Sequence, residues 1–242
     1  MTPELLTRIL RNRADRRACV LATRLPDGTP VLLEDHDFGF RPAGSETVPA
    51  ALLAEATSLA AAGRSGTTTL EGADWFLHLH APPPRLLIVG AVHIAQVLAP
   101  FAAGLGMLPV VIDPRTALAT PERFPGVALR HEWPDDALRA LRPDRHTAVV
   151  VLTHDSKLDD PALTEALNGP AFYVGALGSR RTHAKRRDRL HAAGLSDRAL
   201  DRLRGPVGLA IGAIGAEEIA LSIAAEIVAT RRGSPLATRS ES

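Results

Sequence analysis

Four short clusters of polar and glycine residues each follow an apolar run, and their side chains are of the kinds that hold anions. Gly90-Ala91-Val92-His93 follows RLLIV, and Asp113-Pro114-Arg115 follows PVVI. Thr153-His154-Asp155 follows TAVVVL, and Gly178-Ser179-Arg180-Arg181 follows AFYVGAL. The last cluster joins a hydroxyl, two guanidinium groups and a helix start, which are the parts needed to grip a phosphate or pyrophosphate. The first resembles a dinucleotide loop. Gly90 can make the tight turn and Ala95 can stand where the third glycine lets helix and strand pack, but Val92 occupies the second glycine position. Asp113 lies at a distance from Gly90 suited to accepting from a ribose hydroxyl. A side chain at Val92 weakens NAD(P) binding in the usual pose. An NAD(P)-dependent oxidoreductase and a ligand-free strand–turn–helix both stay open on these residues.

The elements that must position these clusters follow from hydropathy. From Arg85 onward, fully apolar runs alternate with helical stretches, and the apolar run GPVGLAIG leads into a last helix, EEIALSIAAEIVATRR. Apolar strands separated by helices mean a parallel sheet covered on both faces. The expected fold is therefore α/β, a Rossmann-like doubly wound parallel sheet over residues 82–242. In such a sheet ligands bind beyond the carboxyl ends of the strands, where all four clusters lie. Residues 86–112 contain no charged side chain, yet Gly90, His93, Gln96, Pro100, Gly104, Gly106 and Pro109 interrupt them, so strand–helix–strand fits better than a membrane span. Residues 1–81 read as a smaller N-terminal α+β domain. A short helix starts at Thr2-Pro3-Glu4, two strands flank Pro26-Asp27-Gly28, residues 49–62 are helical, and DWFLHLH alternates like a strand. Ala81-Pro82-Pro83-Pro84 marks the boundary.

Composition narrows the function classes. Lys+Arg 28 against Asp+Glu 27 gives a net charge of +1, so no global field argues for nucleic acid or a membrane surface. One cysteine, Cys19, rules out an intramolecular disulfide, and it lies in an apolar strand as an inert core thiol. No apolar signal segment opens the chain, so a reducing cytoplasm is the expected setting. No nucleophile–base pair is visible, and no catalytic residue is expected. His78 and His80 face one way on their strand but lack a third ligand nearby, so no metal site is expected. His93 and His154 sit on the ligand edge. Beyond Arg181, the cations Lys185, Arg186, Arg187 and Arg189 read as a solvated helix face, and Glu217 and Glu218 as caps of the last helix.

Six runs in order carry a family resemblance: PPPRLLIVGAVHIAQVLAPFAAGLGMLPVVIDPR, ERFPG, VVVLTHDSKLDDPAL, FYVGALGSRRTHAKR, RGPVGLAIGA and EEIALSIAAEIV. Over about residues 82–232 the chain resembles the Rossmann-type domain of the XdhC/CoxI family, the xanthine dehydrogenase accessory proteins. The resemblance implies a cytoplasmic maturation factor and not an enzyme. Such a factor is a chaperone that binds molybdenum cofactor in its molybdopterin form, assists its sulfuration and delivers it to a molybdenum hydroxylase such as xanthine dehydrogenase. It further implies a homodimer and work alongside a cysteine desulfurase, with no nucleic acid or membrane as partner. Carried onto this sequence, the cofactor-binding candidates are Gly90, His93, Asp113, Arg115, His154, Asp155, Gly178, Ser179, Arg180 and Arg181. Arg180 and Arg181 would meet the phosphate, and His93 and His154 the polar metal end. The family's Gly-Ser-Ser-Pro-like and Gly-Gly-Cys segments are missing from residues 1–81, which look like a reduced CoxI-like half. A ligand-free docking module for the hydroxylase is the further alternative. Ala210 also stands where an acidic residue is common in the family.

Overall fold

The structure is a computed structural model, and it describes residues 2–36 and 39–234. The chain divides into two compact units, residues 1–82 and 83–242.

The first unit is an antiparallel sheet with a helix on each face. Its elements are α1 (Pro3–Ala14), β1 (Cys19–Arg24), β2 (Pro30–His36), β3 (Gly39–Pro42), α2 (Ala50–Ala62), β4 (Gly66–Leu70) and β5 (Ala73–His80), with strand order β3-β2-β1-β5-β4. Thr2 caps α1, its hydroxyl accepting from the Leu5 N–H at 3.3 Å, and Pro3 fills a first-turn position where no N–H is needed. Along β5 the pleat sends Ala73, Trp75 and Leu77 to one face, where Leu52, Ala56 and Leu59 of α2 cover them. Cys19, Leu21 and Leu32 point to the other face and meet Ile9 of α1.

In the second unit every paired strand is parallel. It comprises β6 (Arg85–Val89), α3 (His93–Gly104), β7 (Leu108–Ile112), β8 (Ala128–Arg130), α4 (Pro134–Leu141) and β9 (Thr147–Val151). It continues through α5 (Ser156–Asn168), β10 (Tyr173–Ala176), α6 (Arg180–Ala192), α7 (Asp197–Leu200), β11 (Leu203–Arg204) and α8 (Ala216–Arg231). The order β8-β7-β6-β9-β10-β11 is that of a doubly wound dinucleotide fold, with its switch point between β6 and β9. The uniformly buried β6 explains the two-sided cover. Leu86 and Ile88 pack with α3 and α8, whereas Leu87 and Val89 pack with α4, α5 and α6. Each such buried side chain contributes roughly 1.5–3 kcal/mol to stability. No helix among the described residues is long and apolar enough to cross a membrane.

The run GPVGLAIG adds no strand. The Val207 N–H still bonds to Ala176 O at 3.1 Å, but Gly208 N–H then turns to Glu226 Oε2 at 2.7 Å and Leu209 N–H to Ser222 O at 3.2 Å. Helix α8 takes over the backbone from the sheet. Glu226 also accepts from the Tyr173 hydroxyl, and burial together with that carboxylate pushes the phenol well above its ordinary value. The intervening β8 and α4 carry little apolar signal, one being three residues long and the other a short helix started by Pro134 with Asp135 and Asp136 in its first turn.

Candidate functional site

The carboxyl ends of β6, β7, β9 and β10 share one edge of the parallel sheet, and each carries one of the four polar clusters. Gly90 ends β6 at φ +110°, a conformation that favours glycine. A Cβ there would come within 2.8 Å of Thr153 Cγ2 and 3.3 Å of the Thr153 nitrogen. The ends of β6 and β9 meet because this residue has no side chain.

The β6–β7 half of the edge is satisfied from within. Asp113 is fully buried, and its carboxylate accepts from the Ala91 N–H at 2.7 Å and the Arg115 N–H at 2.9 Å. The Arg115 guanidinium adds a fork, Nε at 2.9 Å and Nη2 at 2.8 Å. Burial pushes this carboxyl up, but the bonds from Arg115 and Ala91 more than offset it and hold it below the usual carboxylate range. Arg115, held protonated by Asp113, also feels the Asp155 carboxylate across the switch point. Val92 caps α3 without a side-chain bond and is half-buried against the core. His93 is exposed in the first turn, with Nδ1 3.4 Å from Gln96 Oε1.

The β9–β10 half is built differently. Thr153 Oγ1 accepts from the Asp155 N–H at 3.1 Å and donates to Asp159. Asp155 caps α5 through the Lys157 N–H at 3.0 Å. Between them His154 is exposed at φ +64°, an uncommon state for a side chain other than glycine and one that concentrates at functional sites. After β10, Ser179 caps α6 by accepting from the Thr182 N–H at 3.1 Å, and Arg180 and Arg181 stand exposed at that helix start.

Arg186 corrects the reading of α6 as a solvated face. It is 1% exposed, and its Nη2 donates to Asp159 Oδ2 at 3.1 Å and to Leu177 O at 3.0 Å. Arg187 bonds Leu200 O and Asp201, and Arg189 forks onto Asp160. These arginines tie α6 to α5 and to the α7 turn. Sequence reasoning thus missed Thr153, Asp159 and Arg186 as a connected group. The available signal was spacing. Asp159 lies beside Leu158 on a face with Ala162, Leu163 and Ala166, and Arg186 stands four residues before Leu190, α6's buried leucine.

No group of three His, Cys, Asp or Glu among the described residues is placed to hold a metal. The His78 and His80 rings lie with centroids 4.2 Å apart and tilted by 43°, and burial together with His78 holds the His80 imidazole below its ordinary value. Cys19 is buried, and burial with Glu34 pushes its thiol up to about 11, so it offers no thiolate.

Residues 86–227 match the family model of the XdhC Rossmann domain. The chain belongs to the XdhC family. Among curated XdhC relatives, the Escherichia coli K12 molybdenum cofactor insertion chaperone PaoD is 35% identical over 150 residues, which span 62% of this chain and 41% of PaoD. A Bacillus subtilis 168 protein named as a probable xanthine dehydrogenase subunit is 35% identical over 160 residues, 66% of this chain and 46% of its own length. The E. coli protein YqeB is 35% identical over 164 residues, 66% of this chain and 30% of its own. The chain thus spans less than half the length of these relatives. A crystal structure of a Bacillus halodurans xanthine dehydrogenase shares the fold, with TM-score 0.66 and 24% identity over 99% of this chain and 66% of that one.

Proposed function

We propose that this XdhC-family chain is a carrier for molybdenum cofactor that assists the cofactor's sulfuration and its insertion into a xanthine dehydrogenase-type hydroxylase, without itself catalysing a reaction. The observation that carries the reading is the start of α6. A capped helix N-terminus bears Ser179, Arg180 and Arg181 at the carboxyl edge of a doubly wound sheet, and this suits the phosphate that the pterin carries. The donor set fits that end of the molecule. Gly178 stands at φ +145°, a backbone state that favours glycine, and a Cβ there would press to 3.1 Å on Thr182.

The metal end draws on weaker donors. His93 and His154 are exposed at the same edge and could hydrogen-bond its oxygens, while Cys19 is too buried and too basic to act as a ligand or a persulfide carrier. The protein's part is to bind, orient and shield; the chemistry of the cofactor is its own. PaoD's name supports insertion as the role, and the relatives' names support a xanthine dehydrogenase-type client. Against the NAD(P) reading, the Asp113 carboxylate that would accept from a ribose already accepts four bonds from Ala91 and Arg115.

The test is retention. Protein mixed with excess molybdopterin cofactor and then desalted is expected to keep pterin, read by its fluorescence after oxidation. A folded preparation that keeps none rules the proposal out.

A further inference from the structure

We propose that Arg186 makes the start of α6 selective for a phosphate dianion, acting from beneath the Gly178–Ser179 turn. The inference rests on the cofactor reading above and concerns only the phosphate end of the ligand. Three observations converge on it. Arg186 is 1% exposed, and Asp159 and Leu177 O both bond its Nη2 alone. Its Nε and Nη1 are buried and have no hydrogen-bond partner among the described residues. Finally, Nη1 lies 3.7 Å from the point a Cβ on Gly178 would occupy, beside the Thr182 side chain, so the guanidinium sits directly under the backbone of the turn.

Buried guanidinium N–H groups are almost always partnered, because leaving them unmade forfeits the bonds that water supplied. Here two nitrogens remain unpartnered on a side chain that already neutralises one carboxylate. A helix start directs its first amides and the positive end of its dipole outward. Placing a fixed cation behind that start raises its preference for the more highly charged anion, in surroundings that screen little. The exposed Arg180 and Arg181 are screened by solvent, so they serve capture, whereas Arg186 sets the selectivity. Asp159 sets how much of that charge reaches the turn, since it is Arg186's ion-pair partner at 3.1 Å.

The experiment titrates the full chain with inorganic phosphate against chloride at constant ionic strength, following the backbone amide resonances of residues 178–182. Wild type is expected to shift at these amides and to saturate. Arg186→Met should weaken phosphate binding at least tenfold, with Arg186→Lys recovering part of the loss. Asp159→Asn removes the competing carboxylate and should tighten binding about threefold. A purely architectural ion pair predicts the opposite for Asp159→Asn, namely weakening alongside Arg186→Met. If Arg186→Met does not fold, the wild-type titration and Asp159→Asn still decide. No shift in wild type, or weakening in Asp159→Asn, overturns the proposal. Equal retention of molybdopterin and its dephosphorylated form overturns it while leaving the carrier reading intact. Phosphate binding without pterin retention does the reverse.

Discussion

The two halves of the sheet's carboxyl edge hold an Asp–Arg pair each, and they use it in opposite ways. At β6–β7, the Asp113 carboxylate collects the Ala91 and Arg115 N–H groups and the Nε and Nη2 of Arg115, so its own oxygens are fully used. At β9–β10, Asp159 takes one nitrogen of Arg186 and leaves two without partners under the α6 start. The half with the dinucleotide-like loop is spent on architecture. The half with no nucleotide signature leaves two buried nitrogens unpartnered, and this is why the proposed phosphate is placed there.

The largest expected effect tests whether the second pair is as structural as it is buried. Asp159→Ala strands a guanidinium that is 1% exposed, which should destabilise the fold by about 3–5 kcal/mol in denaturant unfolding. A cost under 1 kcal/mol would mean that Arg186 finds another partner. Next comes the join between the halves. Gly90→Ala forces a Cβ to within 2.8 Å of Thr153 at a positive φ, and should cost about 2 kcal/mol by the same assay. Arg180→Ala acts on the ligand instead. It should lower cofactor affinity by about 1.5–3 kcal/mol with little change in unfolding midpoint. An unchanged affinity would move the phosphate away from this turn while leaving the carrier role standing.

Smaller effects come from titration. The Asp113 carboxyl is held below its ordinary 3.8, so the stability it supplies is complete above that value and is lost as pH falls through the lower folded-state pKa. Asp113→Asn should flatten the acid limb of a stability–pH curve. A limb unchanged by that substitution would count against the closed pair. His183 works at milder pH and is the smallest case. Burial, then Arg186 and Arg187, hold its imidazole below 6.5, so protonation opposes folding and stability should decline as pH drops through that region. His183→Gln should reduce that slope, leaving the share that His80, shifted the same way, contributes.

Much of this was legible in the residues. The alternation of RLLIV, PVVI, TAVVVL and AFYVGAL with helical stretches gave the parallel sheet, and the polar residues after each run do fall at its carboxyl edge. Charge misled where burial decides. Arg186 sits in a run of cations and reads as surface, yet it turns inward because Leu190 and the α5 face require that side of α6 to pack, and Asp159 waits on α5 to neutralise it. Asp113 reads as a ribose acceptor by spacing alone, but spacing carries no information on whether a neighbour two residues on will occupy the same oxygens. The GPVGLAIG run has strand-like hydropathy, and what pulls it from the sheet is Glu226 and Ser222, whose contacts are long-range.

The most direct test of the carrier role is the identity of the small molecule that accompanies the protein when it is purified gently from cells able to make molybdenum cofactor, read by mass spectrometry under native conditions and again after denaturation. The expected species is a pterin bearing a phosphate, diminished in Arg180→Ala. A folded protein that carries no pterin, or that carries a nicotinamide dinucleotide instead, would contradict it.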